Sequence, residues 1–250
     1  MIWIIGGTKD SRDFLEKICP IRKDIIVTTA TEYGGKLLEN LPIKVISKKL
    51  TYSMMLEFVE ENKIDMIVDL SHPYAVEVSQ NALKVSSEKN IEYFRFEREE
   101  ISLLPQKHKE FDNIATLINY LEGVEGRILV TLGSNNIPYF SELKNLDNCY
   151  FRILPKWDMV KRCEDAGILP KNIIAMQGPF TKNMNKAMID QYDIKYLVTK
   201  QAGDTGGERE KIEAADETRV EVVFLSRPNI IYPNLSNDIE ILLKRVLKKP

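Results

Sequence analysis

The alternation of two hydrophobic periods constrains this chain more than any other feature. Short runs at 1–5, 24–29, 44–46, 65–70 and 92–96 are rich in apolar and β-branched residues and carry little alternation. Such runs suit strands covered on both faces, as in a parallel sheet. Between them, 9–18, 36–40, 52–62 and 73–89 carry apolar residues at helical spacing; Ala75, Val78, Ala82 and Val85 mark one such face. Alternating strands and helices predict a parallel sheet with right-handed crossovers. A charged, irregular stretch with EREE, Pro105 and QKHKE interrupts the pattern over 97–112. The alternation then restarts, with strands predicted at 127–132, 149–154, 172–176, 195–199 and 219–225. Helices are predicted at 114–121, 138–143, 157–166, 183–191, 208–218 and 237–248. The 250 residues are therefore expected to form two α/β domains, 1–97 and 98–250. Either length can bury a core.

Composition narrows the function classes. Lys and Arg number 35 against 37 Asp and Glu, so bulk charge gives no footprint for nucleic acid. Cys19, Cys149 and Cys163 form no CxxC and are odd in number, which argues against a disulfide framework and for a reducing cytosol. Burial as small hydrophobes is their expected role. The two histidines, His72 and His108, with scattered cysteines, offer little material for a metal site. No apolar run approaches the ~20 residues that cross a bilayer, and the N-terminus opens directly on a strand, so a cytoplasmic protein is expected.

Ligands of open parallel sheets bind beyond the carboxyl ends of the strands. The chemically special residues fall at those ends. Gly6-Gly7-Thr8-Lys9-Asp10-Ser11 follows the first strand and opens the first helix, an arrangement that favours phosphate, although it departs from GxGxxG. Thr28-Thr29-Ala30-Thr31 and Tyr33-Gly34-Gly35 stand where a dinucleotide fold meets the adenosine ribose. Glu32 lies beyond the strand end there, and Thr28, Thr29 and Lys36 would tolerate a 2′-phosphate. In Asp69-Leu70-Ser71-His72-Pro73-Tyr74-Ala75, Pro73 suits the first helical position, which places Ser71 or a neutral His72 at a helix N-terminus. In the second domain the corresponding segments are Thr131-Leu132-Gly133-Ser134-Asn135, Gln177-Gly178-Pro179-Phe180 and the glycine-rich 199–207, with Lys200 and Lys211 adding charge. Each segment also has a plainer reading, as a tight turn, polar loop or structural histidine. No GxSxG, HExxH or P-loop pattern is present, and Tyr33 with Lys36 and Tyr192 with Lys195 are each only three apart, short of YxxxK. Glycine loops, one histidine and a few lysines suit chemistry carried by a cofactor.

In this order the motifs resemble the precorrin-6A reductase family of cobalamin biosynthesis, in its cobalt-precorrin-6A branch. The resemblance rests on Gly6-Gly7-Thr8 with Arg12, on Ser71-His72-Pro73-Tyr74-Ala75, on Arg152-Ile153-Leu154-Pro155, and on Gln177-Gly178-Pro179-Phe180. It continues through Thr199-Lys200, Gly203, Gly206-Gly207, Lys211-Ile212 and Arg227-Pro228. It implies two Rossmann-like domains with doubly wound parallel sheets and an active site in the cleft between them. It implies NADH or NADPH on the first domain, held by Gly6, Gly7, Thr8, Ser11, Arg12, Thr28, Thr29, Ala30, Tyr33, Gly34, Ser71 and His72. His72 and Tyr74 would then shape the junction of nicotinamide and substrate. The second domain would hold cobalt-precorrin-6A through Ser134, Gln177, Gly178, Lys200, Gly203, Gly206, Gly207 and Lys211, with Arg227 a further partner for its carboxylates. Hydride would pass to ring carbon C19, giving cobalt-precorrin-6B, with no metal ligand from the protein. Other enzymes of the pathway are the implied protein partners; nucleic acid and membrane are not. Asp10, Ser11, Ser47-Lys48-Lys49, Gln201 and Ala202 depart from the family pattern. A dinucleotide sensor or corrinoid carrier on the same scaffold is the alternative of a different class, separated by whether NAD(P)H is consumed. A reductase of another substrate is a second alternative. A methyltransferase of the pathway lacks support in the absence of an acidic end to strand two.

Overall fold

The structure is a computed structural model and describes residues 1–99, 101–203 and 206–248. The first elements are β1 (Ile2–Ile5), α1 (Lys9–Ile18), β2 (Ile25–Thr29), α2 (Glu32–Lys36) and β3 (Lys44–Ser47). They are followed by α3 (Tyr52–Glu61), β4 (Met66–Asp69), α4 (Val76–Glu88) and β5 (Glu92–Phe96). Next come β6 (His108–Phe111), α5 (Ile114–Glu122), β7 (Arg127–Val130), a 3-10 turn (Ser134–Phe140) and β8 (Cys149–Ile153). The chain continues through α6 (Trp157–Asp165), β9 (Ile173–Ala175), α7 (Lys182–Gln191), β10 (Ile194–Lys200), α8 (Glu208–Thr218) and β11 (Glu221–Leu225). It ends in β12 (Leu235–Ser236) and α9 (Ile239–Leu247). Two compact units result, Met1–Glu99 with Pro228–Pro250, and Glu100–Arg227.

The first unit is built on a six-stranded sheet in the order β3-β2-β1-β4-β5-β12, every pairing parallel. Strand side chains alternate between faces, so both faces need apolar residues. Ile2 and Ile4 join Phe14, Leu15 and Ile18 of α1 on one side. Trp3 and Ile5 join Met55, Phe58 and Val59 of α3 and Ala82 and Val85 of α4 on the other. Thr8 and Thr51 cap α1 and α3 by accepting first-turn backbone N–H groups.

The second unit repeats the plan, with order β9-β8-β7-β10-β11-β6, again all parallel. Leu197, Val222 and Phe224 pack with Met188 and Ile189 of α7 and Ile212 and Ala215 of α8. Cys19, Cys149 and Cys163 are all buried and unpaired with one another.

Residues 228–250 do not belong with the second unit, contrary to the expected division. Leu235 and Ser236 pair with Arg95 and Phe96 at the edge of the first sheet. Leu242, Leu243 and Val246 of α9 enter the core of Phe14, Leu15 and Ile18. Two strands escape the sequence pattern for physical reasons. β12 spans two residues, and β6 reads His-Lys-Glu-Phe on a largely exposed edge, so neither shows an apolar run. Residues 134–140 form a 3-10 turn containing Pro138 where a helix over 138–143 was predicted.

Because Leu242 is fully buried against α1, Leu242→Ala is expected to destabilise the first unit by about 2–5 kcal/mol. Urea unfolding followed at Trp3, buried in the same unit, should show the lowered midpoint.

Candidate functional site

In each unit the strand order reverses at one crevice, the place where such sheets bind ligands. In the first unit the crevice lies between β1 and β4. The loops leaving these strands are tied by a hydrogen bond from Thr8 Oγ1 to the Leu70 carbonyl, 2.9 Å. Gly7 has φ +108°, a conformation that favours glycine, and a Cβ built on it would meet nothing within 4 Å. Its backbone is therefore open to a close neighbour. Ser11, predicted as a cofactor ligand, is fully buried; its hydroxyl accepts from the N–H groups of Gly7 and Thr8, both 3.1 Å, and donates to the Thr8 carbonyl, 2.8 Å. The Thr8 hydroxyl caps the Ser11 N–H. By helix geometry the remaining first-turn donors are the N–H groups of Lys9 and Asp10. Asp10 is buried and paired with Arg98, which ties α1 to the exit of β5. Arg12 is half-buried on α1.

The adenosine-side residues divide. Ala30 and Tyr33 are exposed, and Gly34 is buried with its N–H donated to Thr31 Oγ1. Thr28 and Thr29 are turned into the fold. Thr28 Oγ1 accepts from Trp3 Nε1 at 2.8 Å, and Thr29 Oγ1 donates to the Thr31 carbonyl at 3.0 Å and meets Ser47 Oγ at 3.2 Å. Core and loop bonds therefore engage both hydroxyls, at the positions read as tolerating a 2′-phosphate.

The loop after β4 differs from its prediction. Pro73 occupies a turn closed by the Ala75 N–H on the His72 carbonyl, 2.8 Å, and α4 begins only at Val76. Proline at the second position of a turn explains the early stop as well as a helix start would. His72 therefore opens a turn that Ser71 precedes, and neither is at the helix N-terminus. His72 is exposed, its Nδ1 accepts the Tyr74 N–H at 3.3 Å, and the two rings lie 5.7 Å apart.

Beneath this turn lies a buried charge network that the sequence reading missed. Asp69 and Arg95 are both fully buried, with Arg95 Nη1 2.8 Å from Asp69 Oδ1. Asp69 Oδ2 accepts from Ser79 Oγ and the Tyr93 hydroxyl, both 2.6 Å, and Oδ1 accepts the Ser71 N–H at 2.9 Å. Arg95 also donates to Ser71 Oγ at 3.0 Å and to Glu97 through Nε and Nη2. Tyr232 stacks on Tyr93 and faces the Arg95 guanidinium at 5.2 Å. Burial, then the Asp69 carboxylate, push the Tyr93 phenol up. Burial works against the charge of Arg95, but the Asp69 carboxylate leads the interactions that raise its pKa above the usual value. One signal was available: Asp69 and Arg95 stand inside otherwise apolar strand runs.

The second crevice lies between β7 and β10, where Thr131 Oγ1 donates to the Val198 carbonyl at 2.9 Å. A buried cationic cluster forms here. Lys211 is buried and donates to Thr199 Oγ1 at 2.7 Å. Burial first, then the Arg152 charge, lower its pKa to about 7, with Lys200 adding to the effect and Glu208 and Glu210 opposing it. Burial lowers Lys200 to about 8 and Arg152 to about 10. Arg152, on β8, donates to Asn185 Oδ1 at 2.7 Å and lies 4.1 Å over the Phe180 ring. Glu208 opens α8 and accepts the Gly203 N–H at 2.7 Å; burial raises its pKa. A Cβ on Gly206 would stand 2.5 Å from Ala202 Cβ, so the loop needs glycine there. Gly207 caps α8. Arg227 Nε donates to the Gln201 carbonyl at 2.8 Å. Ser134 Oγ meets Met159 Sδ, Gln177 is exposed, and Gly178 is half-buried. Asp204 and Thr205 of the glycine-rich loop and Glu100 of EREE lie outside the described residues, as do the last two residues of the terminal KKP. Lys200, Lys211, Gly203 and Gly207 thus meet at one edge, with Arg152, Thr199 and Glu208 unforeseen beside them. Among the described residues no group of three His, Cys, Asp or Glu side chains is arranged for a metal ion, and no helix is long and apolar enough to cross a membrane.

Residues 1–247 match the family described as precorrin-6x reductase CbiJ/CobK. The chain belongs to this family. It is 36% identical to a cobalt-precorrin-6A reductase of Methanococcus maripaludis, over 93% of each chain. It is 33% identical to one of Priestia megaterium, over 96% of this chain and 95% of the relative. A solved structure of the CobK precorrin-6A reductase shares the fold, with a TM-score of 0.80 at 16% identity, covering 98% of this chain and 96% of the other. The two-domain, parallel-sheet α/β architecture is therefore that of the CbiJ/CobK reductases.

Two consequences can be measured. Asp69→Asn removes the fully buried one of the two carboxylates that meet Arg95 and is expected to cost about 3 kcal/mol in chemical denaturation. Lys211 is folded with a pKa of about 7, against about 10.4 for an unperturbed lysine. The unfolded chain therefore binds more protons between these values, and stability rises with pH across that window. Lys211→Met removes this increment. The gain of the wild type relative to the variant, from pH 7 to about pH 10, should be visible in paired urea midpoints.

Proposed function

We propose that this chain is a cobalt-precorrin-6A reductase, transferring hydride from NADH or NADPH to the macrocycle. The observation that carries the substrate assignment is the cluster of buried Arg152 and Lys211 with half-buried Lys200 at the carboxyl edge of the second sheet. Cations removed from water are costly unless an anion meets them. A macrocycle bearing several carboxylates supplies such anions, and charge-assisted bonds to lysine and arginine are strong. The full-length family match and the cobalt-precorrin-6A reductases of M. maripaludis and P. megaterium point to the same substrate.

The nucleotide reading is supported by the first crevice. Gly7 leaves open backbone, α1 offers its first-turn N–H groups, and the strand order is that of dinucleotide-binding sheets. The nicotinamide dinucleotide, when bound, supplies the hydride. The protein's part is to bind and orient. On this reading Gly6, Gly7, Thr8 and Arg12 hold the phosphates, Ser11 keeps their loop rigid, and His72 and Tyr74 present a shaped polar face. Asp69 and Arg95 hold that face in position through Ser71.

The test is oxidation of NADH and of NADPH with cobalt-precorrin-6A, with and without cobalt in the ring. Macrocycle-dependent oxidation is expected. Nucleotide binding without consumption would instead indicate a sensor. Lys200→Ala should raise the macrocycle KM about tenfold or more by loss of one charge-assisted contact, with the nucleotide KM little changed. His72→Ala should lower turnover; unchanged turnover and nucleotide affinity would remove His72 from the site.

A further inference from the structure

A flat, conjugated ring edged with carboxylates needs two things from a protein: cations for its rim and an apolar surface for its face. The cations are described above. An apolar surface lies at the same carboxyl end of the sheet, after β8 and β9. Leu154 directly follows β8, two residues after Arg152, and is 41% exposed. Met176 directly follows β9 and is 39% exposed. The two are neighbours, because Ile153 and Ala175 form the last ladder pair and the Met176 N–H donates to the Ile153 carbonyl at 3.0 Å. A tight turn, with the Lys156 N–H on the Leu154 carbonyl at 2.8 Å, then starts α6 at Trp157. That indole is 79% exposed, whereas the other tryptophan, Trp3, is fully buried.

An indole is among the largest apolar groups a fold can bury, and leaving one in water gives up that stabilisation. Its support is firm. Cys163 anchors α6 in the core, Arg162 donates to Asn135 Oδ1 at 2.9 Å, and Met159 meets Ser134. The exposed ring is therefore carried by a fixed helix start.

We propose that Trp157, flanked by Leu154 and Met176, is the platform against which the face of the macrocycle packs while Arg152, Lys200 and Lys211 take its carboxylates. The proposal rests on the substrate reading given above and adds to it a positioning residue that no charge pattern reveals. The occupant is argued from charge. The cations on the same edge select an anionic partner, and a conjugated polycarboxylate combines that charge with a flat apolar face.

The experiment compares wild type, Trp157→Ala and Trp157→Phe. Macrocycle and nucleotide KM are measured in the reductase assay, and the macrocycle Kd is measured without nucleotide. Trp157→Ala is expected to raise the macrocycle KM and Kd about tenfold and to leave the nucleotide KM within about twofold. Trp157→Phe should recover most of the loss. Because the side chain is exposed, the thermal midpoint should hold. A wild type that turns over, with Trp157→Ala binding the macrocycle within about twofold of it, overturns the platform and leaves the substrate reading intact. So does a loss shared equally by nucleotide and macrocycle. A wild type that neither binds nor reduces the macrocycle overturns both.

Discussion

The geometry of the first crevice depends on the buried ion pair of Asp69 and Arg95. Two charges without solvent are a poor source of stability, and a well-packed apolar pair could replace them at little cost. Their value lies in the bonds they demand. Every lone pair of Asp69 and every face of the guanidinium must be met, which recruits Ser71, Ser79, Tyr93 and Glu97 into one arrangement. Ser71 immediately precedes the His72–Tyr74 turn, so the network fixes where that turn begins. Tyr232 lies over the same network, which gives the returning C-terminal segment a polar as well as an apolar reason to dock on the first sheet.

The two units share a strand order and a crevice but not an electrostatic solution. In the first, each charge named at the sheet's carboxyl edge meets an opposite one: Asp69 and Glu97 meet Arg95, and Asp10 meets Arg98. In the second, two basic side chains, Arg152 and Lys200, act on Lys211, and Glu208 and Glu210 oppose them only in part. The first edge is thus complete in itself, with backbone donors left over. The second carries surplus positive charge. The same scaffold therefore suits a ligand recognised by backbone N–H groups in one unit and one recognised by cations in the other.

Most of the architecture was legible because each sheet is covered on both faces, which turns a strand into a fully buried, mostly apolar run such as IWII or IIVTT. What escaped lacked that cause. β6 is polar because it is an exposed edge, and β12 is too short to show a period. Residues 228–250 were joined to the preceding domain because chain order was the available guide, whereas the apolar face of α9 meets α1. At the candidate site the open backbone conformation of Gly7 was legible. Side-chain direction was not. Thr28 and Thr29 end a strand, but their hydroxyls turn to Trp3, Thr31 and Ser47. Pro73 signals a break, and the same residue serves a turn or a helix start.

The near balance of 35 basic and 37 acidic residues conceals all of this. Net charge reports on long-range attraction. It is silent on a cluster whose cations are buried and held with lowered proton affinity. Most ion pairs among the described residues are exposed, such as Lys9 with Asp13 and Lys161 with Asp165, and contribute little. Buried cations differ because burial both weakens their charge and strengthens any anion they meet. A lysine brought to about 7 near neutral pH is poised between these limits. An approaching carboxylate favours its protonated form, so binding and protonation reinforce each other. On that account the affinity of the second unit for a polycarboxylate should fall as pH rises above 7, in the direction opposite to the gain in stability that the same lysine produces.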